Sequence, residues 1–305
     1  MPVLLMFACG ALLATGIVLA VRWSGERFVA PQRPAALARR ADAASEAVSE
    51  AESDAASGAV RPSARHLAGL RVYAWWATVL TVLGTLSGLL VTGAGGRLVM
   101  RMLAATSPGA TGRSTEAEAI VGEITPEGTL AYLVFGALPF AFASAALYLL
   151  VEPWLPRGRF GGAAFGLVLL VCVAPFVDPL RAANVDFDIV GPGWLSVLAF
   201  ATLAVLHGAF LAAVAGRLSR SLPLVSRRRW VGPLSPLLAA IVLLPVGVAL
   251  AVGALAAFVA PRVLPWFLDL RASRAGVLVG RVLLGLGVLA SLPTFVSGVF
   301  SIVQR

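Results

Sequence analysis

The chain has 305 residues, of which 59% are hydrophobic and only 13% charged, and its formal net charge is +9. A soluble domain carries roughly 25% charged residues, so a chain this apolar needs lipid as its solvent. All 24 basic residues are arginine. Without lysine no Schiff base to retinal or another carbonyl cofactor can form, and no P-loop of the GxxxxGKS/T type exists. Cys9 and Cys172 lie apart in apolar runs, with no CxxC and no Cys/His spacing that would hold zinc. With only His66 and His207 in the chain, bis-histidine haem ligation is not expected. No cofactor and no metal site is expected.

A spanning helix needs about 20 largely apolar residues. Seven runs meet or approach that length: 3–21, 72–94, 130–151, 160–177, 195–216, 235–260 and 276–302. The expected fold is therefore an all-α polytopic bundle of about seven spans. It consists of a first span at 1–21, a flexible cytoplasmic linker at 22–71 and a six-span bundle at 72–305. Pro139, Pro175, Pro245 and Pro293 fall inside spans, where proline kinks a helix and neighbours re-satisfy the freed carbonyl. Gly84 and Gly88, Gly162 and Gly166, Ala249 and Gly253, and Gly276 and Gly280 have the small-residue spacing of close helix packing.

The first run, "MPVLLMFACG", lacks the basic n-region of a cleaved signal peptide. Retention as a span is the better reading. Arginine counts then set orientation. The connections 22–71, 152–159 and 217–234, with the C-terminal tail, hold 16 arginines, and those on the other side hold 7. The positive-inside rule puts the N-terminus outside and the C-terminus in the cytoplasm of a bacterial inner membrane. Within 22–71, "RRADA" turns into the acidic "ADAASEAVSEAESDAASGA", which has no apolar stripe. This pattern reads as a tether, with a partner-binding helix as the alternative. "GRLSRSLPLVSRRRW", ending at Trp230, reads as an interfacial anchor in which each arginine near an anionic leaflet contributes about 1 kcal/mol. The loop is too short for a nucleic-acid patch.

The outer side carries the candidate site. In "GAGGRLVMRML", Arg97 and Arg101 are four residues apart and share one helical face. Nearby loops supply Glu116, Glu118, Glu123, Glu127, Asp178, Asp186 and Asp188. Two readings stand side by side. In one, the arginines pair with these carboxylates and fasten the loops. In the other, they hold a phosphate or carboxylate, such as a lipid headgroup, in bidentate fashion. Arg281, five residues into the seventh span, is expected to join them in one outer basic pocket. "VDFD" is a poor calcium cage because its two carboxylates point apart. His207 stands near the middle of the fifth span, where an ionisable residue is a functional candidate. An interhelical hydrogen bond by neutral imidazole is the simpler reading.

"GRLVMRMLAATSP" at 96–108, "VGEITPEGT" at 121–129 and "VDFDIVGPGW" at 185–194 together resemble a group of uncharacterised multi-pass membrane proteins of high-GC bacteria. The resemblance spans the second to fifth runs. It implies a multi-pass topology and transfers no activity, ligand or catalytic residue. Neither Ser87 nor Ser297 sits in a nucleophile turn, and no HExxH occurs. The expected role is non-enzymatic, a scaffold or a lipid- or partner-binding protein, with lipids and another membrane protein or a second copy as partners. Transport of a small anionic solute or lipid is the alternative.

Overall fold

A computed structural model describes residues 2–31, 62–177, 180–222 and 243–305. Among them there is no strand, and the single bridge joins Ser114 to Ile120. Helix α1 covers Pro2–Arg22, α2 Pro62–Ser87 and α3 Ala94–Ala105. A π-helical turn, Gly88–Gly93, joins α2 to α3. Helix α4, Pro126–Tyr132, continues through a second π turn, Leu133–Ala137, into α5, Leu138–Val151. Then follow α6, Phe160–Cys172; α7, Gly193–Ser221; α8, Leu244–Val259; α9, Val263–Ala272; and α10, Arg274–Val303.

Five of these rods are long and apolar enough to cross a membrane: Val3–Arg22, Gly69–Ala105, Pro126–Trp154, Gly193–Ser221 and Arg274–Val303. Helices α8 and α9 reach that length only together, and they are bent by 100° at Pro261 and its neighbours. Among the described residues, then, five helices, or six with the bent pair taken as one span, are long and apolar enough to cross, and the expected seven is not confirmed.

The two π turns lie against each other at one depth. The Thr92 hydroxyl lies 3.3 Å from the carbonyl oxygens of Ser87 and Gly88 in its own turn and of Ala137 in the other. Tyr132 donates its hydroxyl to the Thr92 carbonyl at 2.9 Å. Pro139 sits in the first turn of α5, and the widened turn before it relieves the clash between its ring and the carbonyl four residues back.

Packing fixes the direction of each rod. Residues 3–10 of α1 run beside Arg101, and Gly16 meets Leu90, so α1 and α2–α3 are antiparallel. The end where α1 begins is here termed the upper end. Helices α6 and α7 cross through their small residues. A Cβ on Gly162 would lie 2.7 Å from the Ala212 Cβ and from the Gly208 carbonyl. The Gly162 and Gly166 pair thus works as helix-packing spacing requires.

Two segments depart from the expected topology. Helix α8 descends along α2: Tyr73 donates to the Leu250 carbonyl, the His66 ring bonds the Phe258 carbonyl, and Gly69 touches Pro261. Helix α7 ends at the same level, since Trp75 donates to the Leu222 carbonyl. Residues 244–260 therefore finish at the lower end, where α7 also finishes, and do not carry the chain upward. Helix α10 then climbs, and its C-terminal Ile302 packs with Leu170, Leu180 and Phe187 at the upper end. Residues at both ends of the chain therefore lie at the upper end of the bundle.

The segment read as a linker, 22–71, is described only at its two ends. Residues 62–71 are already the first turns of α2. At the other side Phe28 packs on Trp75 and Trp76, while Val29 donates its backbone N–H to Ser219. Arg39 and Arg40, the basic stretch 223–234 with Trp230, and Asp178 lie outside the described residues.

A leucine at Gly208 has no room against α6. Gly208→Leu is expected to lower stability by about 1–3 kcal/mol or prevent folding, whereas the same change at Gly10, where nothing lies within 4 Å, is expected to be neutral. Denaturation of the purified protein in detergent compares the two.

Candidate functional site

At the upper end the loops after α3 and before α7 form one hydrogen-bonded network. Thr106 and Ser107 both donate hydroxyls to the Gly191 carbonyl at 2.8 Å. Arg181 Nη2 donates to both carboxylate oxygens of Glu116 at 2.7 Å, and Asp186 accepts from the Glu116 backbone N–H at 2.7 Å. Asp188 pairs with Arg305 at 3.1 Å, and that guanidinium also donates to the carbonyls of Ala182 and Asn184. The carboxylates of the DFD stretch thus face different partners. Among the described residues no group of three or more His, Cys, Asp or Glu side chains is placed to hold a metal.

The arginine pair makes different bonds from those expected. Arg97 donates from Nη2 to Thr129 Oγ1 at 3.0 Å and lies over the Tyr132 ring at 5.5 Å from its centroid. Its Nε is buried without a partner. Arg101, one turn further on, donates to the Gly122 carbonyl at 3.2 Å. Both fasten α3 to its neighbours through a hydroxyl and a carbonyl, and the carboxylates are claimed by Arg181 and Arg305 instead. Glu118, Glu123 and Glu127 are exposed. Arg101 heads an apolar groove of about 710 Å³ that runs down α1 past Met6, Phe7, Gly10 and Ala14.

Arg281 does not join this pair. Its Nε donates to the Trp154 carbonyl at 3.2 Å, and Trp154 closes the lower end of the same rod whose upper end holds Thr129. Arg281 and Arg97 therefore stand at opposite ends of the bundle. The cause is the direction of α10, which rises from the lower end.

His207 is buried on α7 and ties that helix to α5, its Nε2 lying 2.7 Å from Ser144 Oγ. Ser144 also donates to the Ala141 carbonyl at 3.0 Å, which leaves Nε2–H as the donor to Oγ. A serine beside an imidazole has the geometry of an activated nucleophile. Here Ser144 is 3% and His207 1% exposed, so no substrate carbonyl reaches the oxygen, and the pair serves as an interhelical tie.

The lower end holds a group that the hydropathy reading passed over. Arg271, 7% exposed, caps α5: its Nη1 donates to the carbonyls of Leu149 and Leu150. Those are among the last carbonyls of a helix, which lack intrahelical partners. In return Trp154 Nε1 donates to the Arg271 carbonyl at 3.2 Å. The guanidinium carbon stacks on Trp76 at 5.2 Å from the ring centroid. Asp269, near the end of α9, and Glu152, which follows α5, border the same region. "LDLRA" and "VEPW" were visible as charges at span ends, but their meeting required the α8–α9 bend, which no local pattern announces.

The fold defines an all-helical bundle whose apolar rods are compatible with membrane insertion. Comparison with protein-family models, with curated proteins and with solved structures found no match.

Removing the Arg271 cap strands two carbonyls in an apolar setting. Arg271→Ala is expected to cost about 1.5–3 kcal/mol, with partial recovery in Arg271→Lys, as read by unfolding in mild detergent.

Proposed function

We propose that this chain is a bacterial inner-membrane protein with six crossings that acts by binding lipid rather than by catalysis. The crossings are α1, α2–α3, α4–α5, the short α6, α7 and α10. Helices α8 and α9 enter and leave from one side. The apolar α9 fits the interface on that side, since Val263, Trp266, Phe267 and Leu270 are exposed in helical register and Trp favours the interfacial region.

Charge supports an orientation with the lower end in the cytoplasm. Among the described residues twelve arginines belong to the lower end, while Arg97, Arg101, Arg113, Arg181 and Arg305 belong to the upper end. Arginine excess marks the cytoplasmic side. Both termini then face the periplasm.

The lipid site is the groove headed by Arg101. The observation that carries it is a cation at the mouth of an apolar, outward-facing channel along α1. A phospholipid matches this pattern, with its phosphate at Arg101 near the outer interface and an acyl chain against Met6, Phe7 and Ala14. Arg101 keeps donors free beyond its bond to Gly122. Arg97, one turn deeper, holds α3 to α4 so that Arg101 stays at the mouth. The protein needs no cofactor for this role, and its partners are membrane lipids.

Transport is a second reading, favoured by the broken α8–α9 pair and the facing π turns, since discontinuous helices line the sites of many transporters. Substrate-dependent uptake into liposomes would select it.

Two outcomes are expected. Periplasm-active reporters fused at residue 1 and at residue 305 should both be active; a cytoplasmic C-terminus would restore an odd number of crossings. Native mass spectrometry of gently extracted protein should show a retained phospholipid. Arg101→Ala should reduce its occupancy about tenfold, the loss of roughly one charge-assisted contact, and unchanged occupancy would sink the groove as a lipid site.

A further inference from the structure

Between α2, α5 and α9 at the lower end lies a second cavity, of about 460 Å³. It is separate from the groove at the upper end and does not depend on that reading. Six charged side chains line it, the acids Glu26, Glu152 and Asp269 and the arginines Arg27, Arg157 and Arg271, and of these Arg271 on α9 and Glu152 after α5 have unused capacity. Arg271 spends Nη1 on Leu149 and Leu150, and among the described residues its Nη2 carries no hydrogen bond. The Glu152 carboxylate interacts electrostatically with Arg271 but forms neither a hydrogen bond nor an ion pair with it or any other described residue.

These two groups share one cavity without closing on each other. A buried guanidinium nitrogen and a carboxylate normally do close, because an unpaired charge away from water is costly. Here the guanidinium is fixed by its stack on Trp76 and by the α5 carbonyls, and Glu152 is fixed by the turn that follows α5. Trp76 and Tyr148 supply aromatic surface to the same cavity.

We infer that this cavity binds a zwitterion. Its oxyanion is received by Arg271 Nη2 and its ammonium by Glu152, and its carbon skeleton lies on Trp76 and Tyr148. Acids and arginines are equal in number in the lining, so a molecule bearing both charges satisfies both signs, whereas a simple anion or a simple cation leaves one sign unmet. Two sources carry this chemistry: a phosphoethanolamine headgroup that belongs to a lipid of the adjoining leaflet, or a free small molecule such as phosphoethanolamine itself.

The full-length protein in phosphatidylglycerol nanodiscs provides the test. One arm titrates free phosphoethanolamine; the other introduces phosphatidylethanolamine, with bound species read by native mass spectrometry. Saturable binding in either arm is expected, and the arm that binds names the source. Glycerol phosphate, which keeps the phosphate and replaces the ammonium by hydroxyls, serves as the ligand-side control on the unmodified protein and should bind at least about tenfold more weakly. Glu152→Gln, nearly isosteric, should erase that difference. Absence of binding in both arms, or equal binding of glycerol phosphate by the unmodified protein, would overturn the inference. So would a Glu152→Gln protein that still discriminates.

Discussion

The cap that Arg271 places on the end of α5, together with the bond that Trp154 donates to the Arg271 carbonyl, is the constraint on which the lower half of the molecule hangs. A helix that ends in an apolar medium leaves carbonyls that water cannot reach. Arg271 meets two of them at the end of α5, and Trp154 returns a donor to the Arg271 backbone. The corner between α9 and α10 is thereby pinned to the terminus of a helix 117 residues earlier. Once that corner is fixed at the lower end, α10 can only rise, and its last residues meet the upper loops. Arg305 completes the connection through Asp188, Asn184 and Ala182. Cation stacking on Trp76 further reduces the cost of holding the guanidinium away from bulk water.

Much of the helical architecture was legible in the sequence, because hydropathy over 20 residues reports the need for an internally bonded backbone. The rods at 3–21, 130–151, 195–216 and 276–302 lie within the observed helices. What could not be read was direction. The run 235–260 is apolar enough for a span, yet Tyr73 and Gly69 hold α8 so that it finishes where α7 finished. One misread direction reversed α10, and with it the side to which Arg281 was assigned. The arginine pair at 97 and 101 was visible, but its partners were not. Opposite charges in neighbouring loops do not reveal which of several arginines each carboxylate meets, and here Arg181 and Arg305 prevailed over the helical pair.

The middle of the bundle depends on small and weakly polar contacts. Gly162, Gly166 and Gly208 let α6 and α7 approach at backbone distance, which in lipid substitutes for the hydrophobic drive that water would supply. The Ser144–His207 bond adds a tie of the size typical of interhelical hydrogen bonds, about 0.6 kcal/mol on average. Neither contact is strong. Together they hold a short α6 between longer neighbours.

The π turn at Gly88–Gly93 has a consequence for how the upper end came to be arranged. A π turn amounts to one residue inserted into an α-helix, and each residue advances the helix by about 100°. Everything beyond Gly93 is rotated by that amount relative to an unbroken rod that begins at Pro62. The azimuth at which Arg97 finds Thr129 and Arg101 finds Gly122 is therefore set four or more residues earlier, by a widening of the backbone. Removal of a single residue there would leave the composition of α3 intact and turn its cationic edge toward other neighbours.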